Sequence, residues 1–266
     1  MQKTRIDIPE LELYIGNKEN HLLRYYEPEP GVFIAESRNV ISLALDAGFE
    51  PISAIYTSRI ASDPILERLD VPTYLVDEDE VKAHLGYILP GGICCAMRRK
   101  GNADYAEIIR SARRIVVLDD VENPTNVGAI FRSAAAFGVD AILLSPACVD
   151  PLYRRALRVS VGNAFVIPWA YMCRTEDEWV TKGLGMLKDA GFRTVALALR
   201  DDNINIDDPI LKSDNKIALI MGNEGYGLVP SVIEQCDYVA KIPMQNGVDS
   251  LNVAVAAGLA MWELTK

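Results

Sequence analysis

The chain has 266 residues, half of them hydrophobic, and a formal net charge of −10 at pH 7. This length fits one large domain or two ordinary ones with a substantial core, and the negative charge argues against a protein that coats nucleic acid without specificity. No run of about 18 apolar residues occurs, so no membrane-spanning helix is expected.

The first hundred residues alternate short strands and helices after an entry arm, residues 1 to about 30, which the sequence EPEPG ends. Strands are predicted at 32–34, 51–56, 73–76 and 94–97, and helices at 36–47, 64–69 and 78–85. Such alternation is typical of an α/β sandwich. The charged segment 98–104, RRKGNAD, has almost no apolar content and is predicted to be a linker.

The remaining chain alternates again. Strands are predicted at 114–118, 141–144, 165–168, 194–199, 217–221 and 238–242, and helices at 105–112, 127–137, 153–157, 176–190, 229–235 and from 254 onward. We therefore predict an α/β protein of two domains, residues 1–103 and 104–266.

A glycine-rich loop follows one apolar run in the sequence IALIMGNEGYGL, residues 217–228. The run is typical of a buried parallel strand, and ligands bind at the C-terminal ends of such strands in open α/β sheets. Glycines allow the backbone to approach a ligand closely. The order G-x-x-G-x-G differs from G-x-G-x-x-G, so a nicotinamide-dinucleotide site is a poor interpretation.

A second stretch, residues 242–263, reads IPMQNGVDSLNVAVAAGLAMWE and combines a strand end, a polar loop and a helix N-terminus. Asp249 and Ser250 are predicted to cap the helix, and Asn252 would be unusual inside it. The helix N-terminus offers unpaired N–H groups and the positive end of a dipole. Taken alone, this stretch is better interpreted as an ordinary capped helix.

A third stretch, residues 119–138, reads DDVENPTNVGAIFRSAAAFG. Arg132 lies there among apolar residues, where an arginine normally has a charged partner. The structural alternative to a functional role is a salt bridge from Arg132 to an acidic residue of the same stretch. The candidates for that partner are Asp119, Asp120 and Glu122.

In chain order these stretches contain N-x-G-x-x-x-R at Asn126, Gly128 and Arg132, G-N-E-G-x-G-L at 222–228, and I-P-M…S-L-N at 242–252. They resemble the three motifs of the SpoU (TrmH-type) RNA ribose 2′-O-methyltransferases of the SPOUT superfamily. The resemblance implies a catalytic domain with a parallel sheet and a C-terminal trefoil knot. It also implies S-adenosyl-L-methionine as cofactor, S-adenosyl-L-homocysteine as product, no metal, and a homodimer with the active site near its interface.

The resemblance also implies roles for individual residues. The implied catalytic residues are Asn126, Arg132, Glu224, Ser250 and Asn252. The implied cofactor-binding residues are Leu197, Gly222, Ile242, Met244 and Leu251. In the mechanism proposed for this family, the arginine is the base that removes the proton of the ribose hydroxyl. Because a guanidinium group is a poor base, the alternative is that Arg132 only orients the hydroxyl or a phosphate by charge-assisted bonds.

Residues 33–48, FIAESRNVISLALDAG, resemble a smaller substrate-binding domain related to ribosomal protein L30e. This resemblance implies that Glu36 and Arg38 touch RNA, the alternative being a helix-capping Glu36 and a solvated Arg38. The basic residues Arg154, Arg155 and Arg158 are predicted to bind RNA phosphates, or else to pair with acids such as Asp150. The presence of an N-terminal RNA-binding domain favours ribosomal over transfer RNA.

The five cysteines lack C-x-x-C spacing and their number is odd, so we expect reduced, mostly buried thiols in a cytoplasmic protein. The two histidines lie far apart, which argues against a zinc site or a histidine catalyst. No secretory signal is seen. The alternative function is a catalytically inactive, ribosome-associated RNA-binding protein of the same fold, and the intact motif residues favour the enzyme.

Overall fold

The computed structural model describes residues 3–15, 31–200 and 203–266, and most of the predicted entry arm lies outside these ranges. The chain forms two compact units. The first contains Met1–Gly101 and Leu152–Val166, and the second contains Asn102–Pro151 and Ile167–Lys266.

The elements are numbered here in chain order. The strands are β1 Val32–Glu36, β2 Pro51–Tyr56, β3 Thr73–Leu75, β4 Ile93–Arg98, β5 Arg114–Leu118, β6 Ala141–Leu144, β7 Trp169–Tyr171, β8 Arg193–Leu197, β9 Ile204–Asn205, β10 Ile217–Met221 and β11 Tyr238–Lys241. The helices are α1 Glu12–Ile15, α2 Arg38–Asp46, α3 Glu78–Leu85, α4 Tyr105–Ser111, α5 Pro124–Phe137, α6 Arg154–Ser160, α7 Glu176–Glu178, α8 Leu184–Asp189, α9 Ile210–Ser213, α10 Pro230–Ile233 and α11 Val253–Thr265. A π-helical turn, Trp179–Gly183, joins α7 to α8.

The second unit is built on a seven-stranded sheet of order β7-β6-β5-β10-β8-β11-β9, in which every pairing is parallel. All five residues of β10 are buried, as expected for a central strand with both faces covered. This confirms the predicted α/β class and the parallel sheet. The trefoil knot stays a prediction.

The first unit contains a mixed four-stranded sheet of order β1-β4-β2-β3. Strand β4 pairs antiparallel with β1 and β2, and β2 pairs parallel with β3. The segment 152–166 packs into this unit, because Phe165 contacts Phe33 and Phe49 with ring centroids 5.7 and 5.1 Å apart. Helix α6 therefore belongs to the first compact unit although its sequence lies between strands of the second.

Several strand and helix predictions agree with the structure to within a residue or two, and the exceptions have local causes. The strand predicted at 165–168 is wrong. Gly162 adopts a left-handed conformation that starts a 3-10 turn, Asn163–Phe165, and the strand begins only at Trp169. The short elements β9 and α9 were not predicted, because two- and four-residue elements carry no measurable periodicity.

The predicted linker at 98–104 is partly wrong as well. Arg98 completes β4, and Arg99 is only 4% exposed, with its Nε donating to the carbonyl oxygen of Val32 at 3.3 Å. Lys100 lies over the ring of Phe49, 4.6 Å from its centroid. The first three residues of the segment are therefore part of the first unit, because long basic side chains can pack their stems on apolar surface.

Candidate active site

The three motif loops follow the C-terminal ends of strands β5, β10 and β11. Strands β5 and β10 end together, with Met221 beside Leu118 in the register, and the Asp119 N–H donates to the Met221 carbonyl at 2.8 Å. Strand β8 pairs with both β10 and β11. Because all these strands run parallel, the loops that follow β5, β10 and β11 meet at one edge.

A chain of side-chain hydrogen bonds joins the three motifs. The Nδ2 of Asn126 donates to Oε1 of Glu224 at 2.8 Å, and the Nδ2 of Asn252 donates to Oδ1 of Asn126 at 3.0 Å. Asn126 is 6% exposed, so its amide must be paired in this way to lie in the interior. The structure therefore brings three of the five predicted catalytic residues together.

Asn252 caps the last helix. Its Oδ1 accepts hydrogen bonds from the N–H groups of Ala254 and Val255 at 3.0 and 3.3 Å, so the prediction that Asp249 and Ser250 cap α11 is wrong. The helix begins later because the asparagine side chain satisfies the first free N–H groups. Ser250 lies in the exposed loop, where its Oγ contacts Oδ1 of Asp249 at 3.4 Å.

Glu224 holds the first motif as well as the second. Its carboxylate accepts from the N–H groups of Glu122 and Asn123 at 3.3 and 3.1 Å, in addition to Asn126. These donors lie just before α5 in the chain, where free N–H groups favour a carboxylate. With three donors around it, Glu224 is suited to positioning the loops.

A second contact between the same two loops was not predicted from the sequence. The Nδ2 of Asn223 donates to the carbonyl oxygen of Asp120 at 2.8 Å, and the Tyr226 hydroxyl donates to the Asp120 carboxylate. Asp120 has a positive φ of 56°. Burial raises the pKa of its carboxyl, and the charges of Glu122 and Glu224 raise it further. Asn223 and Tyr226 belong to the glycine-rich motif, but nothing in the motif sequence indicates that Asp120 is their partner.

A cavity of about 480 Å³ opens beside these contacts, within the range usual for small-molecule sites. Its lining includes all five residues predicted to bind a cofactor, Leu197, Gly222, Ile242, Met244 and Leu251. It also includes Glu224, Ser250 and Asn252. The Cβ of any side chain at Gly222 would lie 2.4 Å from the carbonyl carbon of Gly227 and 2.5 Å from the Leu228 nitrogen, so only glycine fits this wall of the cavity.

Arg132 is exposed on α5 and is not among the residues that line the cavity. Within residues 3–15, 31–200 and 203–266 the Arg132 side chain makes no hydrogen bond or ion pair, so a salt bridge to Asp119, Asp120 or Glu122 finds no support there. Helix α5 packs against α11, and α11 exposes Val255, Leu259 and Trp262. Successive residues of this set lie about one helical turn apart, so the three form an apolar stripe along the helix.

Asp119 is a buried carboxyl at the end of β5, 6% exposed. Burial raises its pKa to about 6, the charge of Glu176 adds to this, and Trp179 and Ser145 partly offset it. An unfolded aspartate has a pKa of about 3.9. Between about pH 4 and pH 6 the folded chain therefore keeps a proton that the unfolded chain has lost, and stability falls as the pH rises through this window.

We therefore expect Asp119→Asn to stabilise the protein at pH 7.5 by up to about 3 kcal/mol, because the amide removes a buried charge. The gain should shrink toward zero near pH 4, where the carboxyl is neutral in both states. Urea unfolding followed from pH 4 to 7.5 measures this, with the exposed Asp189→Asn as the matched control. A gain that is the same at every pH would contradict it.

The first unit places Glu36 away from solvent. Glu36 is 2% exposed, and its carboxylate accepts from Nε of Arg158 at 3.1 Å and from the hydroxyl of Tyr87. The guanidinium of Arg158 also lies over the Tyr87 ring, 4.9 Å from its centroid. Glu36 makes no cap of α2. The carboxylate therefore holds α6 in place, and neither of the two roles considered from the sequence describes these contacts.

The other predicted RNA-binding residues have varied surroundings. Arg38 is exposed and pairs with Asp63 at 3.2 Å. Arg154 donates to the carbonyl oxygen of Tyr14 at 3.0 Å, and Arg155 is exposed on α6. Arg158 pairs with the acid Glu36, which is the kind of contact considered as the alternative to RNA binding. RNA binding by Glu36, Arg38, Arg154, Arg155 and Arg158 stays a prediction.

The SpoU rRNA Methylase family profile matches residues 113–262, more than half of the chain and all three motif loops. The chain belongs to the SpoU rRNA methylase family. This confirms the resemblance of the motifs. An uncharacterized tRNA/rRNA methyltransferase of Mycobacterium bovis is 37% identical over 236 residues, which cover 88% of this chain and 80% of that protein.

Solved structures agree with this assignment. An AdoMet-bound rRNA methyltransferase from Sinorhizobium meliloti superposes with a TM-score of 0.74 at 26% identity, covering 88% of this chain and 86% of that one. A structure described as an RNA 2′-O ribose methyltransferase gives a TM-score of 0.75 at 25% identity, covering 99% and 98%. The SpoU family and these relatives indicate an RNA methyltransferase of the SpoU type.

Among the described residues of this SpoU protein, no group of three or more histidine, cysteine or carboxylate side chains is placed to hold a metal ion. In the same ranges no helix is long and apolar enough to cross a membrane. All five cysteines are free thiols, and four of them are buried.

Proposed function

We propose that this chain transfers a methyl group from S-adenosyl-L-methionine to a ribose 2′-hydroxyl of RNA. The observation that carries the proposal is the hydrogen-bonded chain Asn252–Asn126–Glu224, which ties three separate loops together beside one cavity. Reactions of an already activated donor depend mainly on how the reactants are placed, and this chain of contacts is suited to fixing that placement.

The cavity fits the proposed cofactor. Its volume of about 480 Å³ and its apolar side chains at Leu197, Met244 and Leu251 suit a nucleoside with an aliphatic arm. Backbone at Gly222 would approach the ligand where no side chain fits. When bound, the cofactor supplies a methyl group on a sulfonium, and S-adenosyl-L-homocysteine remains as product.

Gly222→Ala should weaken S-adenosyl-L-methionine binding by about tenfold or more, because the new Cβ would force Gly227 and Leu228 to move. Isothermal calorimetry measures the dissociation constant. Gly185→Ala is the matched control, since an added Cβ at that exposed glycine meets no atom within 4 Å. Equal affinities of the two variants for S-adenosyl-L-methionine would show that Gly222 is not part of the cofactor site.

We further propose that the protein is a homodimer in which the apolar stripe of α11 is buried. Val255, Leu259 and Trp262 are each about half exposed, and contiguous apolar surface marks interaction sites. Arg132 lies on α5, the helix that packs against α11. A second copy on this surface can therefore bring its ribose site and an Arg132 guanidinium together. The guanidinium would orient the ribose hydroxyl or a phosphate by charge-assisted hydrogen bonds, and the hydroxyl proton would leave to water.

Leu259→Glu should convert the protein to a monomer, because the interface would have to bury an unpaired charge. Light scattering gives the mass, and methyl transfer should fall with it. Leu259→Met, which keeps an apolar side chain of similar volume, is the control and should leave the dimer intact. A Leu259→Glu variant of unchanged mass would place the interface elsewhere.

The RNA partner and its binding surface are also part of the proposal. Residues 1–103 would bind RNA and residues 104–266 would carry out the transfer, with ribosomal RNA favoured over transfer RNA. An exposed cation such as Arg38 suits phosphate contacts better than the buried Glu36 does. The proposed location of the protein is the cytoplasm.

Mapping of 2′-O-methylation in total RNA from a strain that lacks the gene, against wild type, tests the function directly. The proposed enzyme predicts loss of methylation at a defined nucleotide and its return when the gene is restored. The second candidate, an inactive RNA-binding protein, predicts an unchanged map and no S-adenosyl-L-methionine binding by calorimetry. The paired contacts of Asn126, Glu224 and Asn252 favour the enzyme.

A further inference from the structure

Tyr226 is an exposed aromatic side chain beside the proposed active site. It occupies the variable position of the glycine loop, and it lines the cavity. At 63% it has the largest exposed fraction of the large apolar side chains that the structure describes. Apolar side chains at such a position mark binding surfaces when they are grouped with polar site residues.

The ring is exposed but not free to turn. Its hydroxyl donates to the carboxylate of Asp120, and the amide of Asn223 donates to the carbonyl oxygen of the same aspartate at 2.8 Å. The Asp120 carboxylate therefore holds the tip of the ring against the first motif loop, and the Asn223 contact holds the glycine loop itself to the same residue. Because the ring is already ordered, a ligand that binds it loses little additional conformational entropy.

The residues on either side of Tyr226 leave space around the ring. They are Gly225 and Gly227, which have no side chains. A Cβ added at Gly227 would meet no atom within 4 Å, and one added at Gly225 would meet only Oδ1 of Asn223, at 3.3 Å. A flat ligand can therefore reach the ring without displacing a neighbouring side chain.

The charges around the ring restrict what this ligand can be. Asp120 holds the hydroxyl, and the Glu224 carboxylate lies in the same contact between the two loops, where it accepts from the N–H groups of Glu122 and Asn123. A phosphate group would be repelled by these carboxylates. A nucleobase is uncharged, stacks on aromatic rings, and carries amino and imino N–H groups that carboxylates accept.

We infer that Tyr226 is the stacking platform for an unpaired base of the RNA substrate at the mouth of the cavity. This inference rests on the proposed function and makes Tyr226 a specificity-determining residue for it. Stacking on a side chain requires a base that is out of its own helical stack, so the inference also assigns the substrate to a single-stranded, looped or flipped-out segment.

Four variants at this position test the inference with methyl transfer from radiolabelled S-adenosyl-L-methionine to total RNA from cells that lack the gene. Tyr226→Ala and Tyr226→Leu should raise the KM for RNA about 5- to 150-fold, the range that corresponds to losing about 1–3 kcal/mol of stacking. The kcat should change little, because a platform acts equally on ground and transition states. Tyr226→Phe and Tyr226→Trp keep a ring and should retain most of the RNA affinity.

Calorimetry with S-adenosyl-L-methionine alone separates this role from others. Because Tyr226 also lines the cofactor cavity, we expect the Ala and Leu variants to lose much more affinity for RNA than for the cofactor. An unaltered KM for RNA in the Leu variant overturns the inference. So does a Phe variant that binds RNA as weakly as the Ala variant does, or a loss of affinity that is confined to the cofactor. Failure of the unaltered protein to methylate any RNA overturns the proposed function itself, so the two failures are distinct.

Discussion

Replacing Arg132 with alanine should lower kcat for methyl transfer about 100- to 1,000-fold, the usual loss when a donor that acts on the reacting oxygen is removed. Arg132 is exposed on α5 and is not among the residues that line the cavity, and its side chain makes no ion pair with the residues that the structure describes. A structural contribution from such a side chain would be small. The affinity for S-adenosyl-L-methionine should therefore stay nearly unchanged.

Single-turnover transfer with saturating cofactor measures this loss, and calorimetry measures the cofactor affinity. Arg110→Ala removes an exposed arginine from α4 of the same unit and should keep full activity. Arg132→Lys tests geometry, since an ammonium cannot reproduce the two-pronged contact of a guanidinium. Near-normal turnover of Arg132→Ala would show that its assigned role is wrong.

Arg158→Ala should destabilise the first unit by about 3 kcal/mol. Breaking a buried ion pair from one side typically costs about 3–5 kcal/mol, because the remaining charge is left without its partner. The cost should fall at the low end, since the Arg158 side chain is 42% exposed whereas that of Glu36 is 1% exposed. Tyr87 still donates to the carboxylate in the variant, which offsets part of the loss.

Urea unfolding of Arg158→Ala, Glu36→Gln and the double variant measures this pair. The double variant should be more stable than the sum of the single losses predicts, because neither charge is then left alone. Arg155→Ala, an exposed neighbour on the same helix, is the control and should change stability by less than about 1 kcal/mol. Unchanged stability of Arg158→Ala together with weaker RNA binding would favour the predicted phosphate contact instead.

This expectation also changes how RNA binding by α6 should be tested. Neutralising Arg154, Arg155 and Arg158 together would remove the partner of Glu36, so loss of RNA affinity could follow from unfolding of α6. Arg155 and Arg38 are the better choices for a salt-dependence series, because both side chains are exposed. Each phosphate contact that is lost should reduce the slope of log affinity against log salt by about 0.7 to 0.9.

The sequence by itself determined the class of the fold and the location of the candidate site. Runs such as IALIM are apolar at every position because a central parallel strand is covered on both faces, and the loops after such strands must open at one edge of the sheet. The resemblance of the three sequence motifs to the SpoU family then indicated Asn126, Glu224 and Asn252 as site residues, and the structure joins them by hydrogen bonds.

Only the tertiary structure decided which partners these side chains take. Periodicity reports the face of an element that is buried, but it holds no information about contacts between residues far apart in the chain. Glu36 and Arg158 are 122 positions apart, and nothing local indicates that residues 152–166 join the first compact unit. The contacts of Asp120 with Asn223 and Tyr226 span more than 100 positions for the same reason, and they depend on two sheet loops that fold side by side.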